Sequence, residues 1–433
     1  MNYKELFSKT PPTKLFFTAA IPGSIGMLAS ALYQTIDGVL VGRILSGNAF
    51  AALNLAMPLV IINFSLADLI GVGSAVPISV RLGEKKEAEA NNIFTSACLM
   101  IVITGLILGL AMFLAAPALI GLMGAEGELA KLAVQYLRVY CLCSPVTTIV
   151  FAMDNYLKIC GRVRSSMALN IVMSVLSAVL EFIFLFVFRF GIWAAALATC
   201  TSMFLCALAA LYPFFGKKMQ LRFVRPRLNR TMIKTIVTCG SPNFLNNVAG
   251  RITSIIMNMI LLRVGGATAV SVYGILMFAD GFVQPLLYGM CDSLQPAVGY
   301  NWGAGEKKRV MAIERCCFTA SALLSLVSAA VIYLFPGNLA SIFMQEASGS
   351  FFEGAAAAVQ LYVSDQMVFF CHPEFYAGGG KTSSRVVDFC IHCAGISGTS
   401  GYSPVASGTY GTVAEFRRHI CAGSRSGSGD PLE

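Results

Sequence analysis

The sequence predicts an all-α polytopic membrane protein built from two similar halves. Hydrophobic residues make up 56% of the 433-residue chain, charged residues only 12%, and the mean hydropathy is +0.72. A soluble chain carries about a quarter charged residues. The apolar runs are ~20 residues or longer, which is the length a helix needs to cross hydrocarbon. Because the runs are continuous, they do not match the alternating strands of a membrane β-barrel.

The apolar runs predict nine complete spans and the start of a tenth. Three lysines precede the first run, but that run is too long to be the apolar core of a cleaved signal peptide. We therefore expect the first run to remain as a membrane span. The spans are predicted at residues 15–42, 49–80, 93–120, 132–156, 166–189, 191–214, 232–262, 268–300 and 312–336, and the tenth begins near residue 355.

A repeat divides these spans into two halves. The tetrapeptide GEKK ends one apolar run at residues 83–86 and another at residues 305–308, 222 positions later. Residues 46–56 and 265–275 are also similar, at an offset of 219. Parallel repeats of this kind are related by an axis along the membrane normal. We therefore expect two helix bundles with pseudo-twofold symmetry, and we expect Gly83 and Gly305 to be equivalent and to lie at the same membrane face.

The repeat and the basic residues predict the domains and their orientation. Residues 1–214 form an N-terminal bundle of six spans, residues 215–231 a connecting loop, and residues 232–363 an incomplete C-terminal bundle. Lysine and arginine concentrate in alternate connections, which predicts a cytoplasmic N-terminus and a cytoplasmic connecting loop. The net charge of +9 then reflects topology, and we expect no nucleic-acid partner. The expected location is a bacterial cytoplasmic membrane, in which the chain is multi-pass.

Residues 364–433 differ from the rest of the chain, since apolar runs stop near Val363 and all three histidines follow. Back-translation with a one-base advance yields two apolar segments of spanning length, so we interpret this region as a non-native, disordered tail after a frameshift near residue 365. The alternative is a genuine Cys/His tail. Its CIHC motif at residues 390–393 matches no common zinc finger, and no metal is expected.

Acidic residues within the spans are the candidate functional residues. A charge at mid-bilayer costs roughly 2.5–3.5 kcal/mol on insertion scales, so such residues face a cavity or a partner. For Asp37 and Glu181, a functional role is favoured over a purely structural ion or hydrogen-bond pair. For Asp68, Asp280 and Asp292 both interpretations stay open. Asp154, near the end of the fourth span, is expected to be solvated.

Three segments resemble a known family. IDGVLVGRILSGNAFAALNLAMPL at residues 36–59, GVGSAVPISVRLGEKKEAEA at 71–90 and QPAVGYNWGAGEKKRV at 295–310 are similar to sequences of the multidrug and toxic compound extrusion (MATE) transporters. The resemblance covers about residues 10–363 and is greatest to the bacterial branch related to a DNA-damage-inducible member. It implies 12 spans, of which about 9–10 are intact here, in two six-helix bundles around a V-shaped cavity. It also implies export of organic, often cationic or amphipathic compounds in exchange for H⁺ or Na⁺, by alternating access.

The resemblance also implies a cation site. Members have an Asp in span one and an acid in span five, and Asp37 and Glu181 match these positions, with Ser177 and Thr199 as companions. Ser177 lies four residues before Glu181 and so shares its helix face. Ser and Glu stand where the family often has Asn and Asp, which favours H⁺ over Na⁺. No cofactor besides the coupling ion is expected. The residues predicted to line the cavity are Tyr33, Gln34, Met57, Asn63, Asp68, Tyr273, Met277, Asp280 and Gln284.

Two alternatives to drug export remain. One is a lipid-linked oligosaccharide flippase of the same superfamily, whose pyrophosphate substrate needs several cavity arginines; the chain offers at most Arg138 and Arg251. The other is an inactive, truncated transporter product. An enzyme is not expected, because no phosphate loop is present and residues 1–371 contain no histidine. The expected partners are small organic substrates and the lipid bilayer, and the expected state is a monomer.

Overall fold

The computed structural model describes the backbone of residues 3–45, 47–216 and 219–334. Side chains are described for the same residues except 3, 4, 47, 246, 249, 251–280, 329 and 331–334. The predicted start of a tenth span and the predicted tail at residues 364–433 lie outside these ranges. The predicted division into domains therefore stays a prediction.

All regular structure in the described ranges is helical, which confirms the predicted fold class. Seven of the described helices are long and apolar enough to cross a membrane. They coincide with predicted spans one to six and nine, with bounds that differ from the predicted ones by a few residues. The helices are α1 (Tyr3–Ser8), α2 (Pro12–Ile44), α3 (Gly47–Gly83), α4 (Glu87–Leu122), α5 (Gly127–Ile159), α6 (Val163–Phe182, continued by a π-helical turn Ile183–Val187), α7 (Ile192–Phe215), α8 (Arg230–Gly303) and α9 (Lys307–Leu334).

Helix α8 contains both predicted spans seven and eight. Its 74 residues would extend about 110 Å as a straight helix, several times the thickness of a bilayer. Both of its ends nevertheless pack against the same part of α3. Ile236 contacts Gly73, and Tyr300 contacts Gly83, only ten residues further along α3. The chain therefore doubles back between the two ends of α8, and its two predicted membrane crossings stay a prediction.

The turn after α3 and the turn after α8 have the same geometry. Lys85 and Gly305 both have positive φ, of 62° and 81°. The backbone N–H of Lys86 donates to Arg81 O at 2.8 Å, and that of Glu306 donates to Asn301 O at 2.9 Å. Both turns thus lie at the same end of the molecule, as predicted. The expected equivalence of Gly83 with Gly305 is wrong by two residues, because the structural offset is 220 and not 222. The GEKK tetrapeptides therefore occupy different positions within the two turns.

The N-terminal half (α2–α7) and the C-terminal half (α8 and α9) meet at one end of the molecule. We call it the basic end, and define it as the end at which α3, α5, α7 and α8 terminate. Here the backbones touch: a Cβ atom on Gly240 would lie 1.8 Å from Leu69 O, and one on Gly289 would lie 2.5 Å from Gly23 O. Small residues permit such close approach between membrane helices, where packing drives association.

Two segments reinforce the basic end. The short helix α1 buries Phe7, whose backbone carbonyl accepts hydrogen bonds from Asn301 (3.0 Å) and Arg309 (2.8 Å) of the C-terminal half. The connecting segment before α8 lies along α4, where Asn92 exchanges two hydrogen bonds with the backbone of Arg227, at 2.7 and 3.1 Å. The chain entering the first half and the chain leaving it are therefore both tied down at this end.

Replacing Gly240 by alanine tests the backbone contact between the halves. The added Cβ would clash with the α3 backbone, so we expect the free energy of unfolding to fall by about 1–3 kcal/mol, the range for overpacking. Gly250→Ala is the matched control in the same helix, since no atom of the described residues lies within 4 Å of its Cβ position. Thermal unfolding of the purified chain measures both. An equal response of the two variants would contradict the close contact.

Candidate cation site

Two buried carboxyl groups lie together inside the N-terminal half. Asp37 of α2 is 4% exposed and Glu181 of α6 is fully buried. Their carboxyl groups are within hydrogen-bonding reach of each other. An ionised carboxylate only accepts hydrogen bonds, so two of them in contact repel unless they share a proton or another cation. The structure therefore places Asp37 and Glu181 side by side, while their role as a cation site stays a prediction.

Tyr33 and Thr199 complete one side of this site. Tyr33 lies one helical turn before Asp37, which places both side chains on the same face of α2. Its hydroxyl donates to Glu181 Oε2 at 3.4 Å and pairs with the Thr199 hydroxyl of α7 at 2.6 Å. The Tyr140 hydroxyl of α5 also lies beside Thr199. Helices α2, α5, α6 and α7 thus each supply a polar group to the site.

The outer oxygens of the acid pair are left without a donor. Asp37 Oδ1 and Glu181 Oε1 are buried and accept no hydrogen bond from the described residues. None of the basic side chains that the structure describes forms an ion pair with either carboxyl group. A buried oxygen normally has a partner, and its absence here costs free energy. Carboxylate and hydroxyl oxygens without a fixed counter-charge suit a proton or a small hard cation.

The hydroxyl of Ser177 is bonded to a neighbouring helix, and its predicted role in the cation site stays a prediction. Ser177 lies one turn before Glu181 in α6, but its hydroxyl pairs with Ser202 of α7. Ser202 in turn donates to the backbone carbonyl of Thr199 at 2.8 Å. Ser177 therefore joins α6 to α7 beneath the acid pair, while the hydroxyl nearest to Glu181 belongs to Tyr33. The sequence predicts Tyr33 as a cavity-lining residue. It gives no signal that would place Tyr140 in the cation site.

The predicted cavity residues are distributed over several environments. Gln34 is exposed on α2, whereas Met57 and Gln284 are half-buried. Asn63 is buried inside the N-terminal half, where its amide exchanges hydrogen bonds of 2.9 and 3.1 Å with Ser144. Asp68 belongs to a second polar cluster. The side chains of Tyr273, Met277 and Asp280 lie outside the described residues.

The second cluster is centred on Lys158 at the basic end. The Lys158 ammonium is buried and forms ion pairs with Asp154, at 2.7 Å, and with Asp292 of α8. Asp68 of α3 is close enough to interact electrostatically with all three. Asp154 is only 7% exposed, so the expectation that it is solvated is wrong. Lys158 lies in the last turn of α5. In the sequence it therefore looks like a basic residue of the loop that follows the helix.

Comparison with known proteins identifies relatives over most of the chain. The family model described as MatE matches residues 22–183 and 242–377. The multidrug export protein MepA of Staphylococcus saprophyticus is 25% identical over 346 residues, covering 79% of this chain and 76% of that protein. MepA of Staphylococcus aureus is 24% identical over 341 residues, covering 78% and 75%. The expected branch, related to a DNA-damage-inducible member, stays a prediction.

Solved structures show the same fold. An outward-facing multidrug resistance MATE transporter of the MOP superfamily superposes with a TM-score of 0.79 at 21% identity, covering 96% of this chain and 98% of that one. A MATE crystal structure in a bent conformation gives a TM-score of 0.78 at 22% identity, covering 97% and 99%.

Removing the Tyr33 hydroxyl tests the architecture of the site. In Tyr33→Phe, Glu181 and Thr199 each lose a buried partner, so we expect unfolding free energy to fall by about 1–3 kcal/mol. Tyr212→Phe makes the same chemical change at a side chain that is 81% exposed and should stay within about 0.5 kcal/mol of the parent. Thermal unfolding in detergent measures both, and an unchanged Tyr33→Phe variant would refute the hydrogen-bonded site.

Proposed function

Because the chain belongs to the MATE family of membrane transporters, we propose that it exports small organic compounds, often cationic or amphipathic, in exchange for H⁺ or Na⁺. The relatives named as multidrug exporters support the substrate class. The observation that supports the exchange is the buried Asp37–Glu181 pair, with which no basic side chain of the described residues forms an ion pair. Two contacting acids need a cation, and a cation taken up from solution can leave again.

The proposed topology places the basic end in the cytoplasm. Lysine and arginine favour that side, and Lys85, Lys86, Lys307 and Lys308 all lie at this end. The halves are in contact there, so the substrate path opens toward the opposite, outer face. Counted at 1.5 Å per residue from the start of α6, Glu181 lies about 27 Å from the basic end. The acid pair is therefore nearer to the outer face, where it is in reach of external cations.

Helix α2 is the element through which cation binding changes the transporter. It carries Tyr33 and Asp37, and it contacts α8 of the other half through Gly23. Pro22 interrupts its backbone hydrogen bonding beside that contact, and proline permits a bend. With a cation bound, α2 is held against α6. Without one, the two carboxylates repel, and α2 moves away from α6 and changes the contact with α8. A cation that binds one arrangement more tightly shifts the population toward it.

Among the two cations, the arrangement favours H⁺. A metal ion needs several oxygen ligands at once. Here the Tyr33 and Thr199 hydroxyls are bonded to each other, and the Ser177 hydroxyl is bonded to Ser202. A proton needs only the two carboxyl groups.

Transport by variants of the acid pair tests this function. Asp37→Asn and Glu181→Gln each remove a charge at nearly constant volume, and both should reduce dye efflux from cells or vesicles to background. The exposed acid Glu128 is the control, and Glu128→Gln should transport like the parent. Efflux is measured with a pH gradient and a Na⁺ gradient imposed separately, and we expect the pH gradient to drive it.

Three outcomes would change the assignment. Parent-level efflux by Asp37→Asn would remove the pair from the coupling mechanism. Efflux driven only by Na⁺ would keep the site and change the ion. A folded parent chain without any efflux would favour the inactive product, since residues 364–433 lie outside the described structure. Arg138 does not support the flippase alternative. Its guanidinium lies over the Phe113 ring, 5.1 Å from the ring centre, and not in a cluster of arginines of the described residues.

A further inference from the structure

Lys158 connects the two halves of the molecule by an ion pair. It belongs to α5 of the N-terminal half, and Asp292 belongs to α8 of the C-terminal half. The lysine side chain is 2% exposed and that of Asp292 is 20% exposed. The next residue of α8, Ser293, lies against Gly23 of α2, so the ion pair sits beside the backbone contact between the halves. Few other charged groups in the described chain bridge the halves.

The two acids that share Lys158 differ in their other partners. Asp154 lies in the same helix as Lys158, one turn before it, and also accepts hydrogen bonds from Ser166 and from Asn170 (2.9 Å) of α6. Asp292 has Lys158 as its ion-pair partner, and no hydrogen bond from another described side chain reaches its carboxylate. Asp154 is thus satisfied within the N-terminal half, whereas Asp292 depends on a residue of the opposite half.

We propose that Lys158 is a latch that keeps the basic end closed. While the halves are in contact, its ammonium holds both acids. When the halves separate at this end, Lys158 stays with Asp154, and Asp292 passes into water. The intact pair with Asp154 prevents the lysine from becoming an isolated buried charge, which would be strongly unfavourable. Because Asp154 belongs to the same helix as Lys158, the ammonium keeps a carboxylate partner in either arrangement.

This inference rests on the proposed alternating access, but its test does not use transport. Asp292→Asn removes the bond between the halves and leaves the Asp154–Lys158 pair. Asp154→Asn removes the bond within α5 and leaves the latch, so it is the matched control. Hydrogen–deuterium exchange by mass spectrometry, on the full chain in lipid nanodiscs, reports opening at residues 72–82 and 289–303. Residues 96–112 of α4 serve as the internal reference.

We expect Asp292→Asn to accelerate exchange at residues 72–82 and 289–303 by about tenfold, the population change that corresponds to about 1.4 kcal/mol. Exchange at residues 96–112 should be unchanged, and Asp154→Asn should accelerate exchange at none of the three segments, because separation of the halves would then leave Lys158 without a carboxylate partner. Parent-like exchange in Asp292→Asn, or equal acceleration in both variants, would overturn the proposal.

A third variant covers the case in which Asp292→Asn fails to fold. Combining Lys158→Met with Asp154→Asn and Asp292→Asn removes the ion pairs without leaving an unpaired lysine, and such replacements are often tolerated. It should show the same acceleration at residues 72–82 and 289–303. A folded triple variant with parent-like exchange would equally overturn the latch.

Discussion

A buried charge in a helical membrane protein needs a counter-charge, and the two acidic clusters of this chain obtain it in different ways. At the basic end, the ammonium of Lys158 is permanently present and forms ion pairs with both Asp154 and Asp292. In the Asp37–Glu181 pair no basic side chain of the described residues plays that part. Under the proposed function, the counter-charge of this pair comes from solution. A permanent ammonium group stabilises one arrangement of the helices. A cation that binds and leaves can change which arrangement is stable.

The arrangement of helices keeps these two clusters apart while linking them mechanically. Helix α2 passes both, since Gly23 touches α8 near Asp292 and Asp37 contacts Glu181 further along. The backbone contacts at Gly240 and Gly289 leave no room for side chains between the halves, so a movement of α2 or α3 is transmitted directly to α8. Close-packed interfaces have discrete arrangements and do not deform continuously. Such an interface suits a transporter that alternates between two states.

Some of this structure is predictable from the sequence because burial of charge in lipid is costly. Asp37 and Glu181 lie within long apolar runs, which marks them as candidate functional residues, and the resemblance to the MATE family implies that they share a site. Lys158 escaped notice because it lies at a helix end, where a basic residue is normally solvated. Asp154 was wrongly expected to be solvated for the same reason. Sequence position gives depth along a helix, but it does not show whether another helix covers that end.

The direction in which a side chain points is the second feature that the sequence does not predict. Ser177 has the right spacing for the Glu181 face, yet its hydroxyl is bonded to Ser202 of α7. The repeat identifies the matching turns, but aligning the two GEKK tetrapeptides gives a sequence offset of 222 residues. The residues with positive φ in the two turns, Lys85 and Gly305, are offset by 220 residues. Glycine and lysine occupy equivalent turn positions there, which a comparison of residue types does not reveal.

The most direct test of the account is infrared spectroscopy of the acid pair. A protonated carboxyl group has a C=O stretch separate from that of a carboxylate, so a shared proton is visible without a transport assay. The account predicts a band from a buried protonated carboxyl group in the parent chain, which is lost when pH is raised and absent from the Asp37→Asn, Glu181→Gln double variant. A parent chain without this band, or a band that persists unchanged in the double variant, would contradict the claim that Asp37 and Glu181 share an exchangeable proton.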